Sequence, residues 1–217
     1  MSGSRLVWDL PTRCHHGLLA ASFLGAWWIS DSERLRAQHM LLGYTVLALI
    51  GFRLLWGVIG GHHARFVHWP LAEVGPYLRG LLRRRPAHFD GHNPAGSWAA
   101  LALLAGAAGT AVSGWMAGAE DSAEWVITMH RWICNGTLAL VGVHLAGVLV
   151  SSLLHRENLL AAMIHGNKRR TPKEHTAPRR AIAWLLLALV LGLWTGLWRW
   201  PGLPPGSALW SWTAGVS

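Results

Sequence analysis

The histidines in or beside the apolar stretches of this sequence are the residues best suited to chemistry: His39, His130, His144 and the adjacent His15 and His16. An ionisable side chain at membrane depth is costly and marks a candidate functional site. His130 and His144 lie 14 residues apart on one apolar stretch. At about 1.5 Å per helical residue they are ~21 Å apart, most of a ~30 Å hydrocarbon core. One helix could therefore offer an imidazole near each membrane face.

The composition indicates a membrane protein with several spans. Hydrophobic residues make up 52% of the 217 residues and charged residues only 13%, whereas about a quarter of a soluble domain is charged. The net charge of +9 does not indicate nucleic-acid binding, because the basic residues cluster in loops between apolar runs. Five apolar runs are long enough to cross a bilayer: residues 14–30, 38–59, 97–117, 125–154 and 181–199.

Two local patterns predict helix starts and ends around these runs. Asn93 can cap the third run, and Pro94 suits the first helical position, where no N–H is needed. Residues 157–165 are predicted to form a short interfacial helix. Cys14 and Cys134 are expected on opposite membrane faces, too far apart for a disulfide.

Lysine and arginine set the expected orientation. They are concentrated before the first run and in connections 60–96 and 155–180, whereas the 118–124 turn has three acidic residues and no basic residue. The positive-inside rule then predicts a cytoplasmic N-terminus and an external C-terminus.

This orientation predicts two pairs of histidines at two depths. His39 and His130 lie near the outer face, and His144 lies near the inner face with His16 or its neighbour His15. Imidazole suits iron, copper and zinc, but structural zinc needs four ligands and no Cys or carboxylate joins either pair. A b-type haem needs only two axial ligands. The residues alone leave open haem ligation, a proton relay and metal transport.

Several strings resemble the bacterial cytochrome b561 family, which includes the cytochrome b subunit of nickel–iron hydrogenases. The resemblance covers about residues 5–170, and it rests on six motifs: Val7–His16, His39–Tyr44, Phe52–Gly57, His63–Phe66, Gly91–Gly96 and Leu153–Leu159.

The resemblance implies an all-α integral membrane protein with a four-helix transmembrane bundle that holds two b haems, each between two histidines. The family's first ligand follows an arginine by three positions, which gives His16 after Arg13, but Gly17 replaces the usual aromatic residue. His15 therefore stays an alternative ligand. The other ligands map to His39, His130 and His144, giving the pairs His16/His144 and His39/His130.

The expected domain division follows from the extent of the resemblance. Residues 1–170 form the di-haem domain, and residues 171–217 form a cytoplasmic basic linker, a fifth transmembrane helix and a periplasmic tail with Trp200, Trp210 and Trp212. The fifth helix has no metal-binding side chain, so we expect it to pack peripherally or to contact a partner subunit.

Three arginines are candidates for the haem propionates, since guanidinium and carboxylate form strong bidentate contacts. Arg53 and Arg13 would serve the inner haem, and Arg131 the outer haem. For Arg53 the alternative is extension to the lipid headgroups.

The function implied by the resemblance is electron transfer in the bacterial inner membrane, between the quinone pool of the respiratory chain and a periplasmic c-type cytochrome or dehydrogenase subunit. Membrane lipid is an expected contact and nucleic acid is not. Whether the chain has quinol/quinone oxidoreductase activity of its own stays open. Two alternatives are an anchor and electron-relay subunit without a quinone site, and a histidine-lined transporter of protons or metal.

Overall fold

The computed structural model describes residues 5–83, 85, 87–119, 121–168 and 176–197. Within these ranges the chain is mostly helical. The α-helices are α1 (Leu10–Trp28), α2 (Arg36–Ile59), α3 (Val74–Leu82), α4 (Pro94–Ala117), α5 (Glu124–His155), α6 (Leu159–His165) and α7 (Arg180–Trp194). Two short strands, β1 (Arg5–Leu6) and β2 (Asn167–Lys168), pair antiparallel. The predicted apolar runs fall on α1, α2, α4, α5 and α7.

Among the described residues, three helical segments are long and apolar enough to cross a membrane: Glu33–Ile59, Pro94–Ala117 and Glu124–His155. Helix α1 has 19 residues and α7 has 15. Fifteen residues rise only ~22 Å, less than a ~30 Å hydrocarbon core. The fifth crossing therefore stays a prediction, and residues 198–217, with the end of that run and its tryptophan-rich tail, lie outside the described residues.

The predicted helix start at Asn93 and Pro94 is confirmed, and a short helix lies in the predicted 157–165 segment. Helix α4 begins at Pro94, and the side-chain oxygen of Asn93 accepts a hydrogen bond from the Gly96 amide at 2.7 Å. Helix α6 occupies most of the predicted 157–165 segment, with Asn158 as its N-cap. It ends at Gly166, whose φ of 83° is the left-handed conformation that favours glycine.

The described residues divide into two compact units, and the first contains those within Met1–Arg13, Arg53–Ala105 and Leu138–Arg180. Its strand pair was not predicted. Arg5 lies opposite Lys168, and the amides of Val7 and Trp8 donate to the carbonyl of Gly166 at 2.8 and 3.1 Å. The reversal at Gly166 directs the chain after α6 back along the N-terminal segment, which adds a short sheet to an otherwise helical fold.

Asp9 joins the start of α1 to the end of α2 within this unit. It is buried, and its carboxylate accepts hydrogen bonds from the Thr12 amide at 2.9 Å and the Trp56 indole at 3.2 Å. The first bond caps α1, since the first amides of a helix have no partner inside it.

The second unit contains the described residues within Cys14–Phe52, Gly106–Thr137 and Ala181–Ser217. Leu186 and Val190 of α7 pack against Leu49 of α2, and the Trp194 indole donates to the Thr45 hydroxyl at 3.0 Å. Helix α7 therefore packs against α2 within this unit.

Glycines bring α4 close to α5 in the second unit. A Cβ placed on Gly106 would lie 2.7 Å from the Thr137 hydroxyl, and one on Gly114 would lie 2.9 Å from Cε1 of His130. Small residues permit such close approach of membrane helices. This packing sets the position of α4 against the histidine of α5.

Candidate functional site

His39 of α2 and His130 of α5 face one another in the second unit. Their ring centroids are 6.3 Å apart and their planes are inclined by 88°. A metal–imidazole bond is about 2.0 Å long, and a ring nitrogen lies about 1.1 Å from its ring centre. Two imidazoles on opposite sides of one metal ion should therefore have centroids about 6.2 Å apart. The observed separation fits a single metal ion between the rings.

The two histidines line a cavity of about 1190 Å³. Small-molecule sites usually have volumes of about 300–1,000 Å³, so this space is large enough for a flat macrocycle. Its lining includes apolar and aromatic side chains together with Tyr44, Arg36 and Arg131. Its polar lining includes two imidazoles and two guanidinium groups, which suit an iron porphyrin with carboxylate side chains, together with the carboxylates of Asp31 and Glu33.

The end of α1 orients His39. Nδ1 of His39 lies 2.9 Å from the carbonyl oxygen of Ala26. This carbonyl is in the last turn of α1, where carbonyls lack helical partners, and the Ser30 amide donates to Trp27 instead. Nδ1 of His39 therefore carries the proton, which leaves the Nε2 lone pair available for a metal.

Helix α4 orients His130. The Ser113 hydroxyl lies 3.0 Å from Nδ1 of His130, and Gly114 leaves room for the ring. Cys134, one turn further along α5, has its sulfur 3.5 Å from Nε2 of His130. Cys14 and Cys134 do not form a disulfide in the described part of the chain.

The residues of the second predicted pair belong to different units. His16 is exposed on α1 in the second unit, and His144 is partly buried on α5 in the first unit. His15 is buried and stacks on Phe52 with centroids 5.9 Å apart. The pairing of His16 with His144 stays a prediction.

The three arginines predicted to bind propionates have different surroundings. Arg131 is exposed and lines the cavity. Arg13 donates to the carbonyl of Ile164. Arg53 is only 5% exposed and does not extend to the surface; its guanidinium lies over the rings of Phe66 and Trp69, at 4.6 and 5.2 Å. Nη1 of Arg53 is buried and has no hydrogen-bond partner among the described residues.

His92 is a polar feature of the first unit that the sequence did not single out as a site; its side chain is partly buried, and its Nδ1 atom is enclosed. Its ring lies 4.7 Å from that of Trp8 and 4.5 Å from that of Trp69. Burial, and then the positive charges of Arg53 and Lys168, lower the pKa of His92 to about 3. His92 is therefore neutral at physiological pH. Lys168 is buried, and its ammonium donates to the carbonyls of Phe89 and Gly91 at 3.4 and 3.1 Å.

Across the described ranges, no group of three or more His, Cys, Asp or Glu side chains could hold a metal ion. The pair His39/His130 offers two ligands, which suffices for a porphyrin iron but not for structural zinc. Fold and site thus define a helical membrane protein with a two-histidine site suited to haem.

The chain belongs to the prokaryotic cytochrome b561 family, which matches residues 7–166. Membership implies a multi-pass membrane cytochrome that binds b-type haem and transfers electrons. The predicted family is confirmed, and the matched range covers α1 to α6.

Two curated relatives have the same printed name, "Probable Ni/Fe-hydrogenase B-type cytochrome subunit". The one from Azotobacter vinelandii is 31% identical over 165 residues, covering 61% of this chain and 67% of the relative. The one from Bradyrhizobium diazoefficiens is 24% identical over 169 residues, covering 62% of this chain and 66% of the relative. The chain thus spans about two thirds of the length of these relatives. No solved structure gives a significant match to the chain.

Proposed function

We propose that this chain is a di-haem cytochrome b that carries electrons between the quinone pool and a periplasmic redox partner. The observation that carries the proposal is the separation of 6.3 Å between the His39 and His130 rings. When bound, b-type haem supplies one-electron chemistry through its iron. The protein's part is to supply the two Nε2 ligands, to orient them through Nδ1 and to enclose the site.

For the second haem we propose His16 and His144 as ligands. His16 is favoured over His15 because the His15 ring is buried against Phe52, whereas His16 is exposed. Arg53 would bind a propionate of this haem, and the support is its buried Nη1 without a partner in the described part of the chain. Asp9 offsets part of the cost of burying this guanidinium, and a propionate bonded to Nη1 would offset more of it. Arg13 would contribute at the start of α1.

For the outer haem, Arg131 and Arg36 line the cavity that holds His39 and His130. We propose that one or both bind its propionates, since arginine is suited to bidentate contact with a carboxylate. Arg131 was singled out in the sequence as a candidate for the propionates, whereas Arg36 was not.

The membrane orientation and the partner are also proposals. The basic connections support a cytoplasmic N-terminus and a periplasmic C-terminus in the inner membrane. Both relatives are named as cytochrome subunits of a nickel–iron hydrogenase. This supports a dehydrogenase subunit as the periplasmic partner. A c-type cytochrome is the other candidate. A reporter fused after Ser217 tests the orientation, and a cytoplasmic signal would contradict it.

Haem stoichiometry is the direct test of the function. Purified protein should give a b-type reduced-minus-oxidised spectrum and close to two haems per chain by pyridine haemochrome. Quinol added to the purified, oxidised protein should then reduce both haems. A colourless protein that binds zinc or nickel would instead support the transport function.

A second candidate is an anchor and electron-relay subunit without its own quinone site. The word "subunit" in the names of both relatives favours it. Co-purification of a redox partner, together with no quinol oxidation by the isolated chain, would distinguish this candidate from the first.

A further inference from the structure

The hydroxyl of Ser113 has the geometry of an acceptor for the proton of His130. Its oxygen lies 3.0 Å from Nδ1 of His130 and 3.1 Å from the carbonyl oxygen of Thr110. A carbonyl can only accept, so the Ser113 hydroxyl donates its proton to Thr110. The same oxygen then accepts the Nδ1 proton of His130, and the Nε2 lone pair is left for a metal.

The surroundings hold this arrangement in place. Ser113 is only 3% exposed, so water does not readily replace its hydroxyl. Gly114 is the next residue, and its missing side chain leaves the room that the His130 ring occupies. One turn of α4 thus supplies both the space for the imidazole and the hydrogen bond that orients it.

The two histidines of this site are held by different kinds of group. His39 donates to the main-chain carbonyl of Ala26, which no substitution removes. At Nδ1 of His130 the partner is a side-chain hydroxyl, that of Ser113, and the main chain of Thr110 also hydrogen-bonds to the ring. The hydrogen bond on the His130 side can therefore be altered by a single substitution, while the His39 side stays unchanged.

We propose that Ser113 is a positioning residue for the outer haem: it fixes the tautomer of His130 and thereby sets the reduction potential. This inference rests on the proposed ligation by His39 and His130. A hydrogen bond from Nδ1–H makes an imidazole a more basic ligand, which favours ferric over ferrous iron. Loss of the hydroxyl should therefore raise the potential of this haem.

The test compares three variants of the full-length, haem-loaded protein: Ser113→Ala, Ser113→Thr and Ser22→Ala. Ser22 is a matched control, because it is fully buried and donates to the carbonyl of Leu18 at 2.7 Å in a helix. Redox titration and the low-spin ferric EPR spectrum are the measurements. The outer haem is the one whose potential disappears from the redox titration in His39→Ala.

In Ser113→Ala we expect one of the two potentials to rise, with a change in the ferric-to-ferrous preference of up to about tenfold, which is ~59 mV for one electron. The other potential should not change. Ser113→Thr should restore the parent value, and Ser22→Ala should leave both potentials unchanged.

If Ser113→Ala fails to retain the haem, Ser113→Thr distinguishes a role of the hydroxyl from a role of packing alone. Retention at the parent potential supports the role of the hydroxyl, and loss in both variants overturns it in favour of packing alone. Unchanged potentials in Ser113→Ala, or equal shifts of both haems, also overturn the inference. If instead His39→Ala and His130→Ala keep both haems, the proposed ligation fails independently of Ser113.

Discussion

Replacing His39 or His130 by alanine should remove the same haem and leave the other in place. Their rings are 6.3 Å apart, close to the ~6.2 Å that two imidazoles on one metal ion require. His144 lies 14 residues beyond His130 on α5, about 21 Å by helical rise, so it cannot replace a lost ligand. The haem content should therefore fall from about two per chain to about one in each single variant.

The double variant His39→Ala/His130→Ala makes this prediction quantitative. Two ligands of one iron act as a unit, so their effects do not add, and the double variant should retain one haem. Pyridine haemochrome gives the content, and redox titration identifies the missing component. His165→Ala is the control, since His165 is exposed at the end of α6 and should keep both haems. A double variant without any haem would show that the two histidines serve different haems and would refute the pairing.

Three further outcomes are expected. Asp9→Ala removes the cap of α1 and the bond from Trp56 and should lower the free energy of unfolding by about 1–3 kcal/mol; an unchanged thermal midpoint would contradict this. Gly114→Ala places a methyl group 2.9 Å from Cε1 of His130 and should lower the occupancy of one haem, whereas full haem content would show that the ring can move. The pKa of His92 is lowered from 6.5 to about 3, so the free energy of unfolding should fall as the pH falls from 6.5 to 3, because the unfolded chain binds the proton at a higher pH than the folded chain. His92→Gln should reduce this pH dependence, as measured by thermal unfolding.

Most of the helical framework was predictable, because apolar runs and capping residues are local signals. Asn93 and Pro94 fixed the start of α4, and charge bias with helical rise predicted that His39 and His130 share a depth. The rotation of each helix about its own axis is set by contacts between helices, so the Ser113 hydroxyl and the Ala26 carbonyl could not be assigned. The Gly114–His130 contact is visible only in the structure.

Contacts between segments distant in sequence were the other part that could not be predicted. The strand pair of Arg5 and Lys168 involves two residues per strand, too few for an alternating pattern. The ring contacts of Trp8 and Trp69 with His92 join an N-terminal segment to two later loops. These two tryptophans pack against a neutral histidine, a contact that no local sequence pattern indicates.

Glycines near the proposed ligands can serve two purposes: room for a macrocycle or close packing of helices. The structure separates them. A Cβ on Gly17, Gly43, Gly136, Gly142 or Gly147 would meet no described atom within 4 Å, whereas one on Gly106 or Gly114 would press on Thr137 or His130. The first group, on α1, α2 and α5, leaves open space on the helices that carry the proposed ligands. The second group, on α4, brings that helix against α5. Helix α4 supplies none of the four proposed ligands, and its contribution is to approach closely enough for Ser113 to hold the ligand of its neighbour.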